Sequence, residues 1–313
     1  MKPVVTLTLN PALDGASAAE KVRPTHKIRT TDERYYPGGG GVNVARVVTT
    51  LGGVALPVYL AGGPTGAFIG ALLEAAGIAP HPVSIAGPTR VSHTVFERST
   101  GLEYRFVAEG PDAAPADVDR CLTLLDTLDF DWLVISGSLP RGLPPDSLAA
   151  IARRTAARGA RLVLDTSGPA LPAALGPALG DARIHLLKPS IGEFRALVGR
   201  DLATRSEIEA AGAELLRTRP VDMLAITVGH EGALLVTPEG ARFLKPPPVA
   251  VASATGAGDS FLGAMVLALA LGATPEAALR RAVAAGAAAV LTPGTELCRR
   301  EDVDRLEAAL APR

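Results

Sequence analysis

The sequence predicts an α/β fold: a central, mostly parallel sheet with helices on both faces, plus a small β-sheet acting as a lid. Three observations carry this. From about residue 120 onward, apolar strand-like runs alternate with helical runs. Polar residues stand where the apolar runs end: Ser136 and Ser138, Asp165, Lys188 and Thr227. Two segments, about 15–37 and 91–108, break the alternation and have no helical period. Strands that are apolar throughout and separated by helices belong to parallel sheets covered on both faces. Chemistry in such sheets gathers at the carboxyl ends of the strands.

The elements follow in chain order. Residues 4–9 alternate briefly and run into Asn10-Pro11, as a first strand does. Asp14 comes next, either as a turn or capping residue or as an acceptor for ligand hydroxyls. Segment 15–37 is charged and β-branched and reads as lid strands. Gly38–Gly41 follows, and Val42-Asn43-Val44-Ala45-Arg46 starts a helix at once. Four glycines in a row are either a flexible loop or a place where backbone approaches a ligand. Asn43 would offer that ligand both a donor and an acceptor. Residues 93–97 and 103–107, around the turn Ser99-Thr100-Gly101, alternate with period two and predict a hairpin. Strands are expected at 131–137, 161–166, 184–189 and 223–229, with helices at 147–158 and 208–217. Pro246-Pro247-Pro248 reads as a stiff connection.

The chain is 313 residues long, 48% hydrophobic and 20% charged, which suits one domain spanning 1–313. The net charge of −1 points away from nucleic acid and anionic membrane as partners. Cys121 and Cys298 show neither metal-like spacing nor a disulfide framework, and free thiols fit a reducing cytoplasm. The longest apolar run, 261–271, is too short to span a bilayer.

The densest chemical signal is Ala254-Thr255-Gly256-Ala257-Gly258-Asp259-Ser260, followed by a long Ala/Leu-rich helical run. Glycines at a helix start leave backbone N–H groups open to an anion, and the helix dipole favours it. Asp259 at that lip is poorly placed to bind an anion itself. It is well placed to take a proton from a hydroxyl attacking a phosphoryl group. Lys27, Arg90 and Arg105 lie in or beside the lid, where they are either solvated or clamps on a phosphate. In Lys188-Pro189-Ser190-Ile191-Gly192-Glu193, Ser190 and Glu193 fit a capping box, while Lys188 and Glu193 would suit a nucleotide phosphate and Mg²⁺ held through water. Thr227 to Ala233, with Gly229 and Gly232, reads as a strand, a turn and a second strand. There is no zinc-type histidine spacing, no Walker lysine motif and no Gly-x-Ser-x-Gly.

Taken together, Gly38–Arg46 near the start and Thr255–Ser260 near the end resemble the two signatures of the ribokinase-like (PfkB) sugar kinases. The order and the intervening α/β pattern match over nearly the whole chain. Residues 6–14 are similar to the branch that phosphorylates ketohexose phosphates. Residues 104–107, 134–140 and 294–298 are similar to its bacterial 6-phosphofructokinase type.

The resemblance implies ATP-dependent phosphorylation of fructose 6-phosphate at its 1-hydroxyl. Fructose 1-phosphate and tagatose 6-phosphate are alternative substrates, and a non-catalytic sugar-phosphate-binding regulator is the alternative from another class. By the same resemblance Asp259 is the base, and Gly256, Ala257 and Gly258 form the anion hole. Asp14, Gly39 and Asn43 hold the sugar. Lys27, Arg90, Arg105 and Ser138 hold its 6-phosphate. Lys188, Ser190, Glu193, Thr227, Gly229 and Gly232 line the nucleotide side, with Glu193 reaching Mg²⁺ through water. It further implies a monovalent cation such as K⁺ near Ser253 and Thr255, and a homodimer built through the lid. The family carries Asn where Ser190 stands, so this chain keeps a hydroxyl there and lacks the amide.

Overall fold

The computed structural model describes residues 1–310. Its strands, in chain order, are β1 (Val4–Thr8), β2 (Ala12–Ala19), β3 (Thr31–Gly38), β4 (Ala55–Ala61), β5 (His81–Ser84), β6 (Arg90–Glu97), β7 (Leu102–Val107), β8 (Trp132–Ser136), β9 (Arg161–Asp165), β10 (Ile184–Leu187), β11 (Val221–Thr227), β12 (Ala233–Thr237) and β13 (Gly240–Leu244). Nine of them form one sheet in the order β13-β12-β11-β10-β9-β8-β1-β4-β5. The run from β11 through β5 is parallel, and β12 and β13 add an antiparallel edge.

Successive side chains on a strand point to opposite faces, so an apolar strand feeds two cores. Leu133 and Ile135 of β8 enter one core, with Val118, Leu148, Ile151 and Leu215 from helices on that side. Trp132 and Val134 enter the other, with Val44, Val47, Leu262, Met265 and Ala282. Leu7, Leu133 and Leu164 are essentially sealed from solvent. Each contributes roughly 1.5–3 kcal/mol by leaving water. Cys121 lies in the first core and Cys298 in the second, both as free thiols.

The small sheet has the order β3-β2-β6-β7. β2 runs antiparallel to β3 and parallel to β6, and β6–β7 is the hairpin expected from the alternation. Its bounds correct the sequence reading. β2 already begins at Ala12, so Asp14 is a strand residue and neither turns nor caps. The charged stretch between β2 and β3 adds no strand. The glycine cluster is not a flexible loop: Gly38 ends β3 and Gly40 already belongs to the helix Gly40–Thr50.

Other boundaries moved slightly. The helix expected at 208 starts at Arg205, because Thr204 and Glu207 form a capping box that the apolar period does not reveal. The turn after β11 is a single 3₁₀ turn, Gly229–Glu231, before the antiparallel return along β12. Strands β4 and β5 and the helices Gly63–Ala75, Pro115–Thr127, Pro275–Ala289 and Arg300–Ala309 lie in stretches where the sequence reading assigned no element. Among the described residues no helix is long and apolar enough to cross a membrane.

Candidate active site

One cavity of about 340 Å³ opens between the carboxyl ends of the main-sheet strands and the small sheet. That is within the size range of small-ligand sites. Parallel pairing of β1 with β8 and of β8 with β9 brings Ser136 and Asp165 level at its floor. Pairing of β2 with β6 sets Asp14 opposite Ser92 and puts Arg90 at the near end. The hairpin register sets Arg105 opposite Thr94. Asp14, Gly39, Asn43, Arg90, Arg105, Ser138, Glu193, Gly256 and Asp259 all line this cavity.

Asp259 sits in the first turn of the helix Ala257–Ala270, whose cap, Gly256, has φ 79°, a left-handed conformation that glycine adopts freely. The leading amides of a helix have no intrahelical partner. Here they open beside the cavity. Asn43 Nδ2 donates to Asp259 Oδ2 at 2.8 Å. Burial pushes the Asp259 carboxyl up to about 6; the nearby Asp165 adds to this, while the Asn43 bond and Lys188 oppose it. The group is therefore a carboxylate at neutral pH, with a proton affinity close to what a base needs.

The Asp14 carboxylate has no hydrogen-bond partner among the described residues and faces the same space. Burial pushes it up to about 6, against the pull of Arg46, Arg90 and Arg105. Arg90 is half-buried, and three backbone oxygens occupy it: Nη2 donates to Asn10 O at 2.9 Å, Nη1 to Ala108 O at 2.9 Å and Nε to Pro11 O at 3.3 Å. It is a fixed cation with some donors to spare. Arg105 is exposed at the rim. Ser138 Oγ accepts from Asn10 Nδ2 at 3.3 Å, which fixes the loop after β8.

The residues expected on the nucleotide side cluster next to the cavity. Lys188 is buried and its Nζ lies 3.1 Å from Asp165 Oδ1. Burial pulls its ammonium down, but Asp165, helped by Asp259 and Glu193, outweighs that and holds it above the usual range. An alanine at Gly258 would bring its Cβ within 3.8 Å of Lys188 Nζ and meet nothing nearer, so the ammonium stands beside the open amides. Ser190 and Glu193 form the expected capping box: Glu193 N donates to Ser190 Oγ at 3.3 Å, and Glu193 Oε2 accepts from Ser190 N at 2.7 Å and Ser190 Oγ at 2.8 Å. Thr227 forms a bridge with Ser190, which adds the end of β11 to this group. Gly229 opens the 3₁₀ turn beyond it and Gly232 follows that turn, and neither lines the cavity.

Lys27 is not brought to the site. It is exposed in the connection between β2 and β3 and is absent from the cavity wall. That connection is charged and has no apolar residue anchoring it over the cavity, so a reading of lid charge alone misplaces it. Two residues at the site were given no role from sequence. Asp165 was visible only as a polar strand end. Arg46 was visible only as the end of a motif, yet it donates to Asn43 Oδ1 from behind at 2.9 Å.

No group of three His, Cys, Asp or Glu among the described residues is arranged to hold a metal. Mg²⁺ suits such a site when phosphates and water supply most of its ligands and protein carboxylates only one or two. Glu193 fits that sparse donor set, since only its Oε2 is used in the capping box.

The model of the pfkB family carbohydrate kinases matches residues 9–302. The ATP-dependent 6-phosphofructokinase isozyme 2 of Mycobacterium tuberculosis (strain H37Rv) is 39% identical over 312 residues, covering 99% of this chain and 90% of the relative. The protein of the same name from Escherichia coli K12 is 39% identical over 313 residues, covering 99% and 100%. The crystal structure of phosphofructokinase-2 from Escherichia coli in complex with potassium superposes with a TM-score of 0.94, at 37% identity and full coverage of both chains.

Proposed function

The chain belongs to the pfkB family of carbohydrate kinases, and from that premise we propose that it transfers the γ-phosphoryl group of ATP to the 1-hydroxyl of fructose 6-phosphate. The observation that carries the reading is Asp259, a carboxylate with a raised proton affinity, set in a glycine-opened helix start that shares one cavity with Asp14, Arg90 and Arg105. The names of the relatives just given support this sugar phosphate as the substrate.

In this reading Asp14 and Asn43 accept and donate bonds to the sugar hydroxyls. Arg90 and Arg105 hold the 6-phosphate, with Ser138 beside them; a guanidinium fork suits that dianion. Asp259 takes the proton of the 1-hydroxyl as the oxygen attacks the γ-phosphorus in line. The amides of Ala257 and Gly258, with Lys188 behind them, meet the charge that builds on the transferring group. Mg²⁺, reached by Glu193 through water, would neutralise nucleotide phosphate charge when bound. Ser253 and Thr255 would hold a K⁺ near the anion hole, and the potassium complex of the relative supports that reading. The small sheet is the lid of a single kinase domain, and its closure keeps water from competing as nucleophile.

The lid also builds a homodimer. Val91, Phe96, Leu102, Phe106 and Val107 are exposed apolar residues on β6 and β7, and a second copy would cover them. The buried free thiols suit a cytoplasmic enzyme. The test is kcat/KM by coupled ADP release for fructose 6-phosphate, fructose 1-phosphate and tagatose 6-phosphate. Preference for fructose 6-phosphate is expected. Preference for either other sugar overturns the substrate, and no turnover on any of them favours a binding regulator.

A further inference from the structure

Asn43 stands between Asp259 and Arg46, and its two ends are not equivalent. Arg46 Nη1 donates to Asn43 Oδ1 at 2.9 Å and to Pro37 O at 3.1 Å. On the other side Asn43 Nδ2 donates to Asp259 Oδ2 at 2.8 Å. Arginine has donors and no acceptor, so the end of the amide facing Arg46 must be the carbonyl. The NH₂ end must then face the carboxylate. Arg46 lies three residues after Asn43 on the helix Gly40–Thr50, so the two side chains share one face. The Tyr36 ring lies 5.7 Å from its guanidinium carbon. Arg46 itself does not line the cavity.

We propose that Arg46 is a positioning residue: it locks the Asn43 amide with its donor end on Asp259, which leaves the other carboxylate oxygen to the sugar hydroxyl. The proposal rests on Asp259 being the base. An Asn amide without this lock can turn over and present its oxygen to Asp259. Two facing oxygens repel unless the carboxyl keeps a proton, so the turned amide favours the form of Asp259 that cannot act as a base. The charged groups around Asp259 are Asp165 and Asp14, which favour its protonated form, and Lys188 and Arg46 itself, whose charges oppose it. Asp14 and Asp165 lie on β2 and β9 and Lys188 follows β10, so none shares the helix of Arg46. The lock acts through one amide, whereas the Arg46 charge acts on Asp259 directly; the Asn43→Ala background separates the two, because only the charge effect survives there.

The experiment is kcat against pH for the full chain and for Arg46→Met, Arg46→Lys, Asn43→Ala and the Arg46→Met/Asn43→Ala double variant, with Asp259→Asn as control. Arg46→Met is expected to lower kcat on the order of tenfold and to raise the acid-limb midpoint by about half a unit or more. Arg46→Lys keeps the charge and one donor, and its limb stays in place. In the Asn43→Ala background, Arg46→Met adds less than about twofold, because the relay is already cut. An unmoved limb in Arg46→Met, or an equal loss in both backgrounds, overturns the proposal. If the methionine variant does not fold, Arg46→Gln decides: its amide keeps a donor for Asn43 Oδ1 without the charge, so the limb stays in place, and a raised limb overturns the relay in favour of the charge alone. Near-normal turnover by Asp259→Asn would instead strike the assignment of the base, a separate failure.

Discussion

The helices Gly40–Thr50 and Ala257–Ala270 both open on glycine beside the same cavity, yet their glycines meet different neighbours. Around the first helix a Cβ has nowhere to go. At Gly38 it would strike the Asp14 carboxylate, and at Gly40 the Ser136 hydroxyl and the backbone behind it. At Gly41 it would come within 2.5 Å of Thr8 Oγ1 and 2.8 Å of Leu7 O. Those glycines serve the protein: they let a helix lie directly on β1 and β8. The second helix is mixed: a Cβ at its cap, Gly256, would meet Leu297 Cδ2 at 2.7 Å, but at Gly258 the space is open. A Cβ at Gly258 meets nothing nearer than Lys188 Nζ at 3.8 Å. In the proposed reaction that glycine serves the ligand, since a Cβ there meets no packing neighbour. Two similar motifs thus divide into a packing device and a reception site, and the variants below separate them.

The largest effect belongs to the carboxylate at the second helix. Asp259→Asn should lower kcat by ~10²–10⁴, the usual scale for a general base. The same change should stabilise the fold at pH 8. A carboxyl whose proton affinity is raised by folding, here from 3.8 to about 6, holds its proton more tightly in the native state. Its charge therefore destabilises the fold progressively as pH climbs through that window, and the penalty is full above it. Removing the charge recovers about 1–3 kcal/mol at pH 8 and nothing below about pH 4. Thermal melts at the two pH values check the sign. A variant equally stabilised at both would show that the gain is not electrostatic.

Gly258→Ala comes next and tests whether the open space is meant for a ligand. Alanine is the better helix former by about 0.5–1 kcal/mol, so the melting temperature should hold or rise. Turnover should fall on the order of 10–100-fold as the new methyl crowds the phosphoryl position. Gly41→Ala is its counterpart and should reverse the pattern. Overpacking against Thr8 and the Leu7 carbonyl should cost about 1–3 kcal/mol of stability, read by urea unfolding. Loss of stability in both, or in neither, would erase the distinction between the two helix starts.

The same division explains what could be read from the residues alone. The two glycine motifs, the apolar strands and the Ser190–Glu193 capping box are local patterns, and local patterns survive in one dimension. The roles of Arg46 and Asp165 are not local. Arg46 matters because β3 ends beside its helix, and Asp165 because β8, β9 and β10 lie side by side and set it against Ser136 and Lys188. Lys27 is the opposite case. Its charge is plain in the sequence, but no apolar anchor carries its connection back over the cavity. Arg90 lies between these cases: its charge was legible, while the backbone oxygens that hold it depend on the loops after β1 and β7.

The smallest expected effect lies at Ser190, on the border between packing and reception. Serine there does a structural job, accepting from Glu193 N and donating its hydroxyl to Glu193 Oε2. Asparagine caps a helix about as well as serine, so Ser190→Asn should leave stability within about 0.5 kcal/mol. It would remove the hydroxyl donor from Glu193 and extend an amide one bond further toward the nucleotide side. Glu193 then has one oxygen less engaged, and the new carbonyl is a further oxygen for a hydrated cation. The Mg²⁺ concentration giving half-maximal rate at fixed ATP should drop on the order of 2–5-fold, under about 1 kcal/mol. An unchanged Mg²⁺ dependence with an unchanged melt would mean that position 190 only caps its helix. A lower melting temperature would mean that the serine hydroxyl is needed to hold Glu193 in place.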